Sequence, residues 1–116
     1  MKRAKKDHRV YLYDILSAIK RVEEYGKKGK DKYFSDGLLQ DGIIRQVSIV
    51  GEAATKLPLT WKKKHSSIPW KLITAMRNIL IHDYSDINLE RVWTVAERDL
   101  PKLKKTVEAM LQEITE

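Results

Sequence analysis

Residues 36–57 read DGLLQDGIIRQVSIVGEAATKL, and this stretch decides the fold. Ser35 or Asp36 can cap the N-terminus of a helix here, and Pro58 follows its far end. Apolar residues return every three or four positions, which places them on one face of an α-helix. They are Leu39, Ile43, Val47, Val50, Ala54 and Leu57. We therefore expect a helix over about residues 36–57 whose apolar face packs against the rest of the chain.

Helical spacing continues on the N-terminal side of this stretch. Apolar residues in 7–25 recur at the same intervals, and Gly26 ends that helix. Residues 27–35 are polar and basic, and they are predicted to form a loop. Tyr33 and Phe34 are expected to fold back onto the following helix.

The C-terminal half predicts two or three more helices. Residues 60–67 form a basic connection in which His65, among lysines, is expected to be exposed. Pro69 suits the first turn of a third helix, and Asn88 suits the N-cap of a fourth. Pro101 either kinks that fourth helix or separates it from a last helix capped by Asp99. No segment alternates as a strand does, so we predict an all-α, antiparallel bundle of four to five helices.

Length and composition bound the class of protein. The chain has 116 residues, which predicts a single domain over residues 1–116. It contains no cysteine, which excludes disulfides, thiolate metal sites and a cysteine nucleophile. With no signal peptide and no apolar run long enough to cross a bilayer, we expect a cytoplasmic protein without a membrane partner. The formal charge of +7 makes a polyanionic partner plausible.

Gly51 and Glu52 stand out inside the helix predicted for residues 36–57. Glycine in a helix interior costs roughly 1 kcal/mol relative to alanine, so it often marks a place where another helix or a partner chain packs closely. Glu52 is either an ordinary exposed helix residue, which is the commoner case, or a carboxylate near an active cleft. The sequence leaves these two alternatives open.

The chemistry-bearing stretch is RNILIHDY, residues 77–84. Arg77 and His82 would supply a cation for a phosphate and an imidazole for proton transfer, which is what RNA cleavage without a metal requires. The plain alternative is an ion-paired arginine and a histidine at a helix end. On an ideal helix the two residues lie about 140° apart, so they converge only if the helix ends or a second subunit completes the site.

Other catalytic patterns find no support in the sequence. The three histidines are scattered without metal-ligand spacing, so no metal and no cofactor are expected. The five glycines match neither nucleotide-binding fingerprint, and no nucleophile elbow is present.

The stretch from Arg77 to Tyr84 resembles the Arg-x-x-x-x-His-x-Tyr signature of HepT-like proteins in the HEPN superfamily. Further matches follow in the same order over about residues 7–111. They are Asp41 and Arg45, Ile49-Val50-Gly51-Glu52-Ala53, Ile68-Pro69-Trp70, Met76-Arg77-Asn78, Val92-Trp93 and Leu100-Pro101. The resemblance implies a helical bundle that forms a homodimer around the Arg-x-x-x-x-His motif. It also implies a metal-independent endoribonuclease that is the toxin of a toxin–antitoxin pair.

The resemblance also implies roles for individual residues. Arg77 would bind the scissile phosphate and His82 would exchange protons, with Asn78 and Asp83 supporting the site. Tyr84 would accept AMP from an antitoxin, a nucleotidyltransferase of the MntA type. The bulky anion added there would exclude RNA from the site by sterics and charge repulsion.

A rival hypothesis assigns the chain to the same family but gives it no catalytic activity. The chain would then be a non-catalytic HEPN module that binds the nucleotidyltransferase or a nucleotide. Under that hypothesis Arg77 and Tyr84 would be ligand contacts, and replacing His82 would change binding without affecting RNA. For the nuclease, the sequence leaves open whether the RNA target is tRNA, mRNA or something broader.

Overall fold

A computed structural model describes residues 7–79 and 87–115, and every regular element within these ranges is helical. The elements are α1 (Arg9–Gly26), α2 (Lys30–Ser35), α3 (Gly37–Thr55), α4 (Leu59–Lys64), α5 (Trp70–Ala75), a 3-10 turn (Met76–Ile79), α6 (Leu89–Thr94), a π-helical turn (Val95–Asp99) and α7 (Leu100–Thr115). The all-α prediction is confirmed. No helix in the described ranges is long and apolar enough to cross a membrane.

Helix α3 lies at the centre of the bundle, as the stretch 36–57 predicts. It packs most extensively against α1, and also against α5 and the 3-10 turn. The carboxylate of Asp36 accepts hydrogen bonds from the backbone N–H groups of Leu38 and Leu39, at 3.0 and 3.3 Å, and so caps the helix. All six residues of the predicted apolar face are buried. The N-cap and the core face of α3 are therefore confirmed.

Helices α1 and α7 complete the core with apolar faces of their own. The buried residues of the two helices are Leu12, Ile15, Ala18, Ile19 and Val22 on α1, and Leu100, Leu103, Val107 and Met110 on α7. The two helices contact each other beside α3. Helices α1, α3 and α7 thus share one hydrophobic core.

The expectation of a loop over residues 27–35 is wrong, because Lys30–Ser35 form helix α2. Gly29 has φ of 93°, a backbone conformation that favours glycine, and it starts the helix after the turn. Tyr33 is fully buried, and its ring lies 5.0 Å from that of Trp93. Its hydroxyl donates to the carbonyl of Leu89 at 2.8 Å. The packing of Tyr33 against α6 therefore fixes the position of α2, a helix that is too short to show a periodic pattern.

Removing the Tyr33 hydroxyl should weaken the fold in a pH-dependent way. Tyr33→Phe keeps the ring but removes the hydrogen bond to the carbonyl of Leu89, which should cost about 1–2 kcal/mol of unfolding free energy at pH 7. Burial raises the pKa of Tyr33 from 10.0 to about 12. Above pH 10 the unfolded phenol ionises first, so this tyrosine makes the protein less stable as pH rises toward 12.

Urea unfolding of the wild type and of Tyr33→Phe, at pH 7 and at several values between pH 10 and 12, measures this pH-dependent contribution to stability. The phenylalanine variant should lose less stability than the wild type over the alkaline window. Identical stability at pH 7 and identical alkaline slopes would show that the buried hydroxyl has no such role.

The basic connection after α3 is also partly helical, since Leu59–Lys64 form α4. The prediction that His65 is exposed is wrong: its side chain is 20% exposed, and its Nε2 lies 3.0 Å from Glu113 Oε1. Lys64 binds the other oxygen of Glu113 at 2.7 Å, and this hydrogen bond lowers the pKa of that carboxyl. These contacts join the end of α4 to α7. An acidic residue about fifty positions away thus determines the environment of His65.

Pro101 does not separate two helices. Helix α6, the π-helical turn and α7 follow one another without a break. The backbone N–H of Leu100 bonds to the carbonyl of Val95, five residues back, as in a π-helix. Proline has no N–H to continue the α-helical pattern, and the wider turn takes up the change. Asp99 lies inside this turn, so the prediction that it caps a separate last helix is wrong. The N-cap role of Asn88 is confirmed, because its side chain accepts from Arg91 N at 3.0 Å.

Candidate active site

Arg77 is placed by a short helical segment that begins after Pro69. Helix α5 runs directly into the 3-10 turn, and Arg77 is the second residue of that turn. Ile73 and Met76 are buried in the core, whereas Arg77 and Asn78 are exposed. The segment is therefore anchored on one side and presents a guanidinium and an amide on the other.

The close approach predicted at Gly51 occurs between α3 and this segment. A Cβ atom added to Gly51 would lie 2.5 Å from the backbone nitrogen of Arg77 and 2.9 Å from the carbonyl oxygen of Ile73. Both distances are too short for any side chain, and both neighbouring atoms are backbone. Glycine at position 51 therefore determines how near the backbone of Arg77 comes to α3.

Glu52 is an exposed helix residue, as the commoner alternative expects, and it lies beside Arg77. It is exposed, and its Oε2 lies 3.8 Å from Nη1 of Arg77. Its other oxygen lies 3.8 Å from Nζ of Lys56. These distances exceed hydrogen-bond length, and the side chains of Arg77 and Glu52 are 44% and 52% exposed. Exposed pairs of this kind are worth about 0–1 kcal/mol, so a phosphate can replace the carboxylate at little cost.

Three of the residues assigned to the site lie outside the described ranges. They are His82, Asp83 and Tyr84. Their roles remain predictions, as does their convergence with Arg77. Asn78 is described, and it follows Arg77 directly on the exposed side of the 3-10 turn.

The local helix type corrects one premise of the sequence argument. The 140° separation of Arg77 from His82 assumes α-helical geometry through both residues. Arg77 and Asn78 are instead in a 3-10 turn, which has three residues per turn. The α-helical angle therefore cannot be used to relate the two side chains.

A metal-binding group of three or more histidine, cysteine or acidic side chains is not found among residues 7–79 and 87–115.

Comparison with known proteins places the chain in a family. Residues 15–110 match the family described as "Ribonuclease HepT-like". A Methanocaldococcus jannaschii protein named "Gamma-glutamylcyclotransferase and putative RNase" is 40% identical over 111 residues, which are 95% of this chain and 50% of that protein. Another protein of that organism, named "Putative RNase", is 34% identical over 106 residues, covering 90% of this chain and 97% of the relative.

A third relative comes from Thermococcus cleftensis and is named "Probable ribonuclease HepT". It is 34% identical over 107 residues, covering 91% of this chain and 97% of the relative. The chain thus spans half the length of the first relative and nearly all of the other two. No solved structure shows a significant match to the chain.

Proposed function

The chain belongs to the HepT-like ribonuclease family, and from this premise we propose that it is a metal-independent endoribonuclease whose phosphate-binding group is Arg77. One observation carries the proposal: the backbone of Arg77 is fixed against Gly51, while its guanidinium is exposed and only weakly paired with Glu52. A fixed backbone with an exchangeable partner suits a cation that must receive a phosphate.

The proposed reaction needs one cation and one group that moves protons. The 2′-hydroxyl oxygen of the RNA attacks the adjacent phosphorus, and its proton passes to a base. The bond from phosphorus to the 5′-oxygen breaks, and that oxygen takes up a proton as it leaves. The products are a 2′,3′-cyclic phosphate and a 5′-hydroxyl. We assign the proton transfers to His82, the stabilisation of the phosphate charge to Arg77, and support of the site to Asn78 and Asp83.

We further propose that the working site lies between two copies of the chain. The side chain of Arg77 is 44% exposed, so an isolated chain presents it on an open surface. An opposing subunit would supply the second wall of a cleft and bring a second set of Arg77 and His82 to the same RNA. Excluding water from such a cleft strengthens the attraction between guanidinium and phosphate.

The biological role that we propose is that of a cytoplasmic toxin controlled by a nucleotidyltransferase antitoxin of the MntA type. This part rests on the match of Arg77, His82 and Tyr84 to the family motif. In the proposed control step the Tyr84 phenol oxygen attacks the α-phosphate of ATP, and pyrophosphate leaves. The AMP group then places negative charge near Arg77 and blocks RNA.

Tyr84→Phe is expected to remain toxic and to escape control. Expression of the wild-type chain in a bacterial host should arrest growth, and co-expression of the nucleotidyltransferase should restore it. The Tyr84→Phe variant should arrest growth with or without the partner, since it lacks the acceptor oxygen. Intact-mass measurement of the purified proteins reports AMP transfer directly.

Tyr13→Phe is the matched control, because Tyr13 is an exposed tyrosine on α1 and should be irrelevant to AMP transfer. Full inhibition of the Tyr84→Phe variant, with AMP on another residue, would contradict the proposed control step. Binding of the partner without toxicity or RNA cleavage by the wild-type chain would instead favour the non-catalytic module.

A further inference from the structure

An open depression of about 280 Å³ lies between α4 and α5. It is lined by Leu59, Lys62, Lys63, Trp70, Lys71 and Thr74. We call it the α4–α5 pocket. No acidic side chain is among these lining residues, whereas three are lysines. The pocket therefore carries positive charge around an apolar floor.

The apolar part of the pocket consists of Leu59 and Trp70. The side chain of Leu59 is 63% exposed, because no described neighbour covers it. The ring of Trp70 is half-buried and lines the pocket. The indole N–H of Trp70 donates to the carbonyl of His65 at 3.0 Å, which fixes the ring. A flat, fixed aromatic surface beside an exposed leucine suits a planar ligand such as a nucleobase.

The three lysines of the pocket differ in their availability. Lys62 Nζ donates to the carbonyl of Ala54 at 3.2 Å, which ties α4 to the end of α3. Lys63 and Lys71 are exposed, and neither forms an ion pair with any residue in the described part of the chain. These two ammonium groups are therefore available to an anion.

The pocket lies on the same helical segment as Arg77. A spacing of three residues separates Lys71 from Thr74, and Thr74 from Arg77, along α5 and the 3-10 turn. At a rise of 1.5–2.0 Å per residue, Arg77 lies about 10 Å beyond Lys71 along the axis. A nucleic-acid strand advances about 3.4 Å per nucleotide in a helix, so a few nucleotides cover this distance.

We propose that the α4–α5 pocket binds a nucleotide of single-stranded RNA that flanks the scissile phosphate. The base packs against Trp70 and Leu59, and the adjoining phosphates bind Lys63 and Lys71. The choice of RNA rests on the proposed function, and the observations that favour it are the charge of the pocket, its fixed aromatic surface and its distance from Arg77. The pocket would then hold the strand in register while Arg77 binds the phosphate that is cleaved.

The test is the binding of a fluorescent 2′-O-methyl RNA oligonucleotide, which lacks the attacking hydroxyl and so reports binding without cleavage. Removing both free lysines, with Lys63→Ala and Lys71→Ala together, should weaken binding by about tenfold or more. It should also reduce the slope of log affinity against log salt by about 0.7 for each lysine. The matched control is Lys20→Ala with Lys102→Ala, which removes the same charge from exposed positions on α1 and α7. The control should leave the slope nearly unchanged.

A second pair of variants tests the apolar floor. Trp70→Leu should weaken binding about tenfold while leaving the salt slope unchanged, because stacking contributes no counterion release. If Trp70→Leu fails to fold by circular dichroism, Leu59→Asn replaces it, since Leu59 is exposed. That variant should weaken binding about threefold at constant slope.

The possible outcomes distinguish a failure of the pocket proposal from a failure of the proposed nuclease activity. Loss of binding in the pocket variants, with little change in the control, supports the pocket even if the chain cleaves no RNA. Equal effects of the two lysine pairs, or no binding by the wild type, overturn the pocket even if cleavage is observed. Displacement of the RNA by an acidic peptide of equal affinity would assign the pocket to a protein partner and overturn its assignment to RNA.

Discussion

Gly51→Ala is expected to lower the free energy of unfolding by about 2–3 kcal/mol and to abolish most of the activity. The new methyl carbon would lie 2.5 Å from the backbone nitrogen of Arg77 and 2.9 Å from the carbonyl oxygen of Ile73. Backbone atoms cannot rotate out of the way, so α3 and the 3-10 turn must separate. A displacement of about 1 Å at a catalytic group can reduce the rate about a hundredfold.

Urea unfolding and RNA cleavage measure the two effects in the same variant. Gly37→Ala is the matched control, because a Cβ atom added to Gly37 meets nothing within 4 Å. Gly37 begins the same helix, and the control should be neutral or slightly more stable. If Gly51→Ala is as stable and active as that control, Gly51 does not position Arg77.

Arg77→Ala is expected to reduce kcat/KM for RNA cleavage by about 10²–10³, the loss typical of removing one group that stabilises a developing charge. Stability should change by less than about 0.5 kcal/mol, because the side chain is exposed and lies 3.8 Å from its partner Glu52. Arg77→Lys should recover only part of the rate, since lysine keeps the charge but not the fork of donors.

Arg21→Ala provides the control for a lost positive charge, because Arg21 is exposed on α1. It should cleave RNA at nearly the wild-type rate. Unchanged cleavage by Arg77→Ala would show that another group binds the scissile phosphate.

The elements predicted well from sequence are those whose signals are local and repeated. The apolar face of α3 recurs over many turns, so its burial follows from spacing alone. Asp36 and Asn88 are caps because their short side chains reach backbone N–H groups two or three residues ahead. Information within a few residues is enough for such features.

The elements that were predicted wrongly depend on distant contacts. Helix α2 has six residues, too few for a periodic pattern, and the fixed position of Tyr33 comes from α6. The environment of His65 is set by Glu113 on α7. The π-helical turn accommodates Pro101 within a continuous helical run, whereas proline in a sequence equally suggests a break. Tertiary packing decides the first two cases, and a local change of helix type decides the third.

The candidate site also combines features that the sequence indicates with features that depend on distant contacts. The glycine within α3 correctly indicated a close helix contact, but the sequence could not show that the contact is the backbone of Arg77. The pairing of Arg77 with Glu52 joins residues 25 positions apart, and spacing gives no signal for it. The roles of Arg77, His82 and Tyr84 came from a motif resemblance, and family membership supports the class of chemistry. The motif residues His82 and Tyr84 lie outside the described ranges.

The most direct test of the central claim is cleavage of RNA in EDTA by purified wild-type protein and by His82→Ala. Total tRNA and mRNA are supplied separately, and the ends of any products are identified. We predict that the wild type cleaves at least one RNA to leave 2′,3′-cyclic phosphate ends, and that His82→Ala does not although it folds and assembles as the wild type does. Equal cleavage by both proteins, or no cleavage of either RNA by the wild type, would contradict the account.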